Sequence, residues 1–88
     1  MFRVAIVTYT ADALAELEAL PRGIQPRVHR AVERLANWPG ISGAKPLRGE
    51  LRGSFRVRAG DYRIIFNYTA SNDVITVWKI GYRGDVYD

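Results

Sequence analysis

Hydrophobic positions along the chain switch between a helical and an alternating period, and the switch points divide it into elements. Residues 2–9, Phe-Arg-Val-Ala-Ile-Val-Thr-Tyr, are nearly all apolar or β-branched. Such a run reads as a strand, and its apolar character favours a central place in a sheet. Thr10 can cap a helix that the pattern predicts over Ala11–Leu20. Ala13, Leu14 and Leu17 share one side of that helix, with Asp12, Glu16 and Glu18 near or outside it. Pro21 and Gly23 end it. A second helix starts near Gln25, with Pro26 suited to its first turn. Ile24, Val28, Ala31, Val32 and Leu35 recur at helical spacing, Trp38 extends the stripe, and Pro39-Gly40 stop it. Two helices across a short break read as an αα-hairpin.

Ile41 to Gly53 is a loop segment containing Pro46, Gly43, Gly49 and Gly53, whose spacing makes no phosphate cradle. After it the period falls to two. Ser54–Ala59, Tyr62–Thr69 and Val74–Gly81 read as strands, with Gly60-Asp61 and Ser71-Asn72-Asp73 as the turns. The predicted fold is α+β: an N-terminal strand, a helical hairpin, then a three-stranded antiparallel meander. That makes one domain over residues 1–88, a four-stranded sheet with helices on one face and the other face open to water. Local pattern does not place the first strand. A helical crossover brings it beside either edge or into the middle.

The strand pattern also sorts charge. In Ser54–Ala59, Phe55 and Val57 alternate with Arg56 and Arg58, giving one apolar and one guanidinium face. A two-residue loop at Gly60-Asp61 sets Arg58 opposite Arg63 and Arg56 opposite Ile65. Three arginines then share a sheet face, an arrangement that like-charge repulsion disfavours. A face that keeps such a cluster is suited to an anion. The 13 basic residues exceed the 9 acidic ones, for a net charge of +4, and only Lys45 and Lys79 among the basic ones are lysines. Arginine's planar fork fits phosphate oxygens better than a point ammonium does. The plainer reading is a solvated basic surface. Alternation with core positions on ordered strands favours the anion-binding one. With no cysteine, disulfides and thiolate metal sites are excluded. Neither a signal peptide nor a transmembrane run is recognisable, so the expected compartment is the cytoplasm.

Four segments together resemble a known family: Lys45-Pro-Leu-Arg-Gly-Glu-Leu-Arg-Gly, Phe55-Arg-Val-Arg, Gly60-Asp-Tyr-Arg-Ile-Ile-Phe and Ile80-Gly-Tyr-Arg-Gly-Asp-Val-Tyr. With the element order, they look like the RelE/ParE toxin superfamily of type II toxin–antitoxin systems, and most like its RelE branch. The resemblance covers essentially the whole chain. It implies one of two activities: RelE-like members cleave mRNA in the ribosomal A site, and ParE-like members poison DNA gyrase. RelE-type enzymes carry basic residues at the places of Arg56 and Arg58, arginines at those of Arg63 and Arg83, and a tyrosine at that of Tyr87. The set departs from the family in two ways. The strand positions are often lysines there, and many relatives have a histidine where Tyr82 stands.

On this resemblance the implied reaction is attack by the RNA 2′-OH, which needs no cofactor or metal. It leaves a 2′,3′-cyclic phosphate and a free 5′-OH. Arg63 and Arg83 are assigned to the scissile phosphate, and Arg56 and Arg58 to the flanking backbone and the developing charge. Arginine is a poor proton donor because its pKa exceeds about 12. On the same resemblance, Tyr87 is the candidate general base. A phenol titrates near about pH 10, and adjacent guanidiniums favour the phenolate. Tyr87 could instead stack on an unstacked base or simply pack the C-terminus. Lys45, Arg48 and Arg52 are assigned to RNA backbone contacts. Glu50 reads as compensating Arg48 and Arg52, with an acid/base role as its alternative. His29 reads as a surface residue, and Trp38 and Trp78 as core. Implied partners are mRNA, the ribosomal A site and a cognate antitoxin bound over the helical hairpin as a hetero-oligomer. The competing functions are a ParE-like gyrase inhibitor and an RNA-binding module without chemistry.

Overall fold

The computed structural model describes residues 4–84. In chain order the elements are β1 (Ile6–Tyr9), α1 (Ala11–Glu18), α2 (Gln25–Arg34), β2 (Lys45–Pro46), β3 (Ser54–Ala59), β4 (Tyr62–Thr69) and β5 (Val74–Tyr82). A 3₁₀ turn at Leu35–Asn37 continues α2, and another at Gly49–Leu51 follows β2. Thr10 caps α1 by accepting from the Ala13 amide at 3.1 Å, and Pro26 stands in the first turn of α2. The α+β class and the meander agree with the sequence reading. The Gly60-Asp61 loop gives the expected register, Arg58 opposite Arg63 and Arg56 opposite Ile65.

The sheet itself differs from expectation. It has five strands in the order β1-β5-β4-β3-β2, and β1 runs parallel to β5. The added strand, β2, pairs only Lys45 with Arg56 and Pro46 with Phe55. The first strand, favoured for the centre of the sheet, is an edge. Its four residues pair with Val74–Val77 alone. Ile6 is 63% exposed and neighbouring Val4 61%, so the apolar run is not matched by burial. Beyond Val77 the open edge of β5 is met by α1. Glu16 accepts from the Ile80 amide at 2.9 Å and from Lys79 Nζ at 2.8 Å.

Both helices lie on one face. Val28, Ala31, Val32 and Leu35 meet Val57, Ile64, Phe66, Ile75, Val77 and Ile80 in the main core. Trp38 joins this core, its ring centroid 4.7 Å from Phe55 and 5.3 Å from Phe66. The opposite face is not left fully open to water as expected. The segment through β2 and its 3₁₀ turn folds over it, and Leu47 and Ile65 form a second small cluster with Leu51 and Trp78. Trp78 therefore packs on the sheet face away from the helices, and its indole donates to Asn67 Oδ1 at 2.7 Å. No described helix is long and apolar enough to cross a membrane.

Candidate functional site

The face away from the helices is organised by strand alternation. In β3, Phe55, Val57 and Ala59 belong to the main core, which turns Ser54, Arg56 and Arg58 to the other side. In β4, Tyr62, Ile64, Phe66 and Tyr68 do the same, which turns Arg63, Ile65 and Asn67 outward with them. Arg58 and Arg63 are direct cross-strand partners. Arg56 follows Arg58 on the same face at roughly 7 Å, two strand residues away. Arg83 comes just past the end of β5. Its amide donates to the Asp61 carbonyl at 2.8 Å, which ties it to the β3–β4 turn. Arg58, Arg63 and Arg83 thus stem from three segments that meet at one end of the sheet.

The arginines at this end are not equivalent. Arg63 is 5% exposed and Arg56 6%, whereas Arg58 and Arg83 are exposed. The Arg63 Nη1 donates to the Gly60 and Tyr62 carbonyls, both at 3.3 Å. The same side chain therefore closes the turn and brings positive charge beneath it. Towards the other end, Ser54 donates to Asn67 Oδ1 at 2.9 Å, and the Trp78 contact completes a polar boundary to the face.

Beside Arg56 lies a cavity of about 490 Å³, with Pro46, Leu47 and Leu51 as apolar wall and Lys45, Arg48, Arg56 and Glu50 as charged wall. Lys45 is the cross-strand neighbour of Arg56. Arg52 follows the 3₁₀ turn and does not line this cavity. Glu50 shares this cavity wall with Arg48, and among the described residues it makes no direct ion pair. His29 is a surface residue, 3.8 Å from Glu33. Tyr87, the candidate base, lies outside the described residues.

Sequence reasoning passed over α2 as a source of functional residues. Arg27, Arg30 and Arg34 recur at three- and four-residue spacing along one flank of the helix, beside its apolar stripe. They line a cleft with Arg58 and Gly60 at the β3–β4 turn. The i, i+3, i+7 spacing was visible in the sequence. What was not visible is which side of the sheet the helix reaches.

Comparison with known proteins places the chain. The family described as the ParE toxin of type II toxin–antitoxin systems, parDE, matches residues 7–87. The chain belongs to the RelE/ParE toxin superfamily. Toxin RelG of Mycobacterium tuberculosis is 31% identical over 85 residues, covering 92% of this chain and 93% of the relative. The crystal structure of the toxin–antitoxin complex RelBE2 from the same species contains a chain of 28% identity and TM-score 0.83, with 97% of this chain and 98% of that one covered. The isolated Escherichia coli RelE toxin shares the fold at TM-score 0.74 and 18% identity, over 89% of this chain and 83% of its own. This RelE/ParE chain is thus a type II toxin by family.

Proposed function

We propose that this toxin is a ribosome-dependent mRNA endonuclease. The observation that carries this reading is the meeting of Arg58, Arg63 and Arg83 at one end of the sheet face away from the helices. A pentacoordinate phosphorane state spreads negative charge over its nonbridging oxygens. Preorganised guanidiniums stabilise such charge more than they stabilise the ground-state phosphodiester. The 2′-OH of the RNA is the nucleophile. Its oxygen bonds to phosphorus as the bond to the 5′ oxygen breaks, and the departing 5′ oxygen takes a proton from water, giving a cyclic phosphate and a 5′-hydroxyl terminus. Exposed Arg58 and Arg83 reach the scissile phosphate directly. Buried Arg63 holds the turn in shape and supplies fixed charge from below. This modifies the equal partnership of Arg63 and Arg83 expected from sequence. Lys45 holds the adjoining backbone with buried Arg56 lending charge from beneath it, Arg48 and Arg52 extend that contact, and Tyr87 takes the 2′ proton. A cognate antitoxin is the expected partner, as the RelBE2 structure is a toxin–antitoxin complex.

The deciding experiment is primer extension on a reporter mRNA after induction, with product ends analysed for a cyclic phosphate. Arg83→Ala and Tyr87→Phe should each lower cleavage by on the order of 100-fold or more and relieve growth arrest. Full toxicity in both variants would refute the assignment.

A second reading has one observation in its favour: the matching family is described by its ParE toxin. A gyrase inhibitor would arrest thymidine incorporation first and leave methionine incorporation running. The nuclease reading requires the reverse order.

A further inference from the structure

We infer that the arginine flank of α2 is a second contact surface for an RNA phosphodiester backbone, continuous with the sheet-face site. The inference rests on RNA being the ligand of that site, and it extends the footprint round the β3 edge to the helical side. Three clefts carry it. The first lies between α2 and the β3–β4 turn and is lined by Arg27, Arg30, Arg34 and Arg58. The second shares Arg34 and Arg58 with the first and adds Lys45 and Arg56. The third is the sheet-face cavity, which shares Lys45 and Arg56 with the second. Because each cleft shares two basic residues with the next, basic side chains line all three without a break, exposed except at Arg56, which contributes from beneath. β2 leaves this run open, since its pairing with β3 stops at Arg56 and does not reach Val57 or Arg58.

Two features select the ligand class. Among the described residues, no carboxylate pairs with Arg27, Arg30, Arg34 or Arg58, so these charges are available to an outside anion. The α2 cleft also offers no large apolar side chain: besides the arginines it is lined by Ala31, Ala59 and Gly60. Protein partners draw most of their affinity where Arg, Trp and Tyr are packed together in desolvated, partly apolar pockets. A surface without such packing suits a ligand recognised by charge and spacing, and a phosphodiester backbone is recognised that way. Gly60 brings the turn into this cleft: a Cβ there would lie 3.8 Å from the Arg27 guanidinium carbon, and the φ of +62° favours glycine at this position.

The test is the salt dependence of binding by wild type and by the triple variant Arg27→Ala, Arg30→Ala, Arg34→Ala. Two probes are used: labelled 2′-O-methyl oligoribonucleotides, which resist 2′-OH attack, and vacant 70S ribosomes. The three positions are exposed and alanine favours helix, and an Arg→Lys triple variant controls for fold and charge. The slope of log K against log salt should flatten by roughly 2 units, about 0.7 for each lost phosphate contact, while the lysine variant keeps the wild-type slope. Flattening on the oligonucleotide assigns the surface to a single strand such as mRNA. Flattening on ribosomes alone assigns it to ribosomal RNA. An unchanged slope on both probes overturns the inference. If wild type binds with the steep slope but cleaves nothing, the nuclease reading fails and the surface stands. If the triple variant keeps its slope while wild type cleaves, the surface fails and the nuclease reading stands.

Discussion

Tyr9 carries a hydroxyl that the fold encloses without a hydrogen-bond partner among the described residues. Burial, and secondarily the Glu33 carboxylate, raises its pKa above the usual phenol value. The native state then holds the phenolic proton more tightly than the unfolded chain does. The resulting stability is complete below the unfolded pKa near about 10 and is lost as pH rises towards the native value. Tyr9→Phe should stabilise the protein by about 1 kcal/mol at neutral pH, because a buried unsatisfied hydroxyl is removed. It should also flatten the alkaline fall in stability relative to wild type. Urea midpoints at neutral and alkaline pH check both outcomes. A similar residue-scale distinction separates the arginines of the sheet. Arg56 and Arg58 are two positions apart on one strand face, yet one is buried beneath the β2 segment and the other is exposed.

At the scale of elements, the meeting of α1 with β5 does structural work that no strand performs. β1 stops at Tyr9, so the outer edge of β5 past Val77 needs another acceptor; Glu16 Oε1 provides it for the Ile80 amide, while Oε2 takes the Lys79 ammonium. Glu16→Ala should cost about 1–3 kcal/mol, because the Ile80 amide is left without its acceptor. Glu16→Gln keeps an amide oxygen and should recover most of that loss. Chemical denaturation of the two variants, with amide exchange at Ile80, separates the backbone contribution from the half-exposed Lys79 ion pair, which is worth little alone. The β3–β4 hairpin is the other decisive element. Its two-residue loop sets the register that pairs Arg58 with Arg63, and a slip of one residue would turn every arginine into the core.

For the whole molecule, two hydrophobic clusters of unequal size share one sheet. The larger joins both helices to the sheet and contains Phe66, fully buried against Trp38 and Phe55. Phe66→Ala should cost about 3–5 kcal/mol, enough to unfold much of a domain this small. The smaller cluster pins the β2 segment through Leu47 onto Ile65. Leu47→Ala should cost about 2 kcal/mol or somewhat more. Its larger effect should be local, loosening the wall that carries Lys45 and Arg48, so that under the proposed function RNA affinity falls while the main core stays folded. Thermal melts read alongside oligonucleotide binding distinguish the two variants.

Local chemistry was enough to determine the helices, the meander, the hairpin register and the arginine face. Each depends on neighbours within a few positions: Thr10 as cap, Gly60 at the turn, Phe55 and Val57 alternating with Arg56 and Arg58. Arg56, Arg58, Arg63 and Arg83 were named from the resemblance to the family; the structure shows the Arg58–Arg63 register and adds the contact of the Arg83 amide with the Asp61 carbonyl. The tertiary structure alone decided the edge position of β1, the recruitment of Lys45–Pro46 as a strand, and the burial of Arg56 and Arg63. It also decided the approach of the α2 arginines to the β3–β4 turn. These follow from packing between segments distant in sequence, where the choice among apolar surfaces is made by shape and total burial. A hydrophobic pattern records that a side chain prefers to be covered, and the assembled molecule determines what covers it.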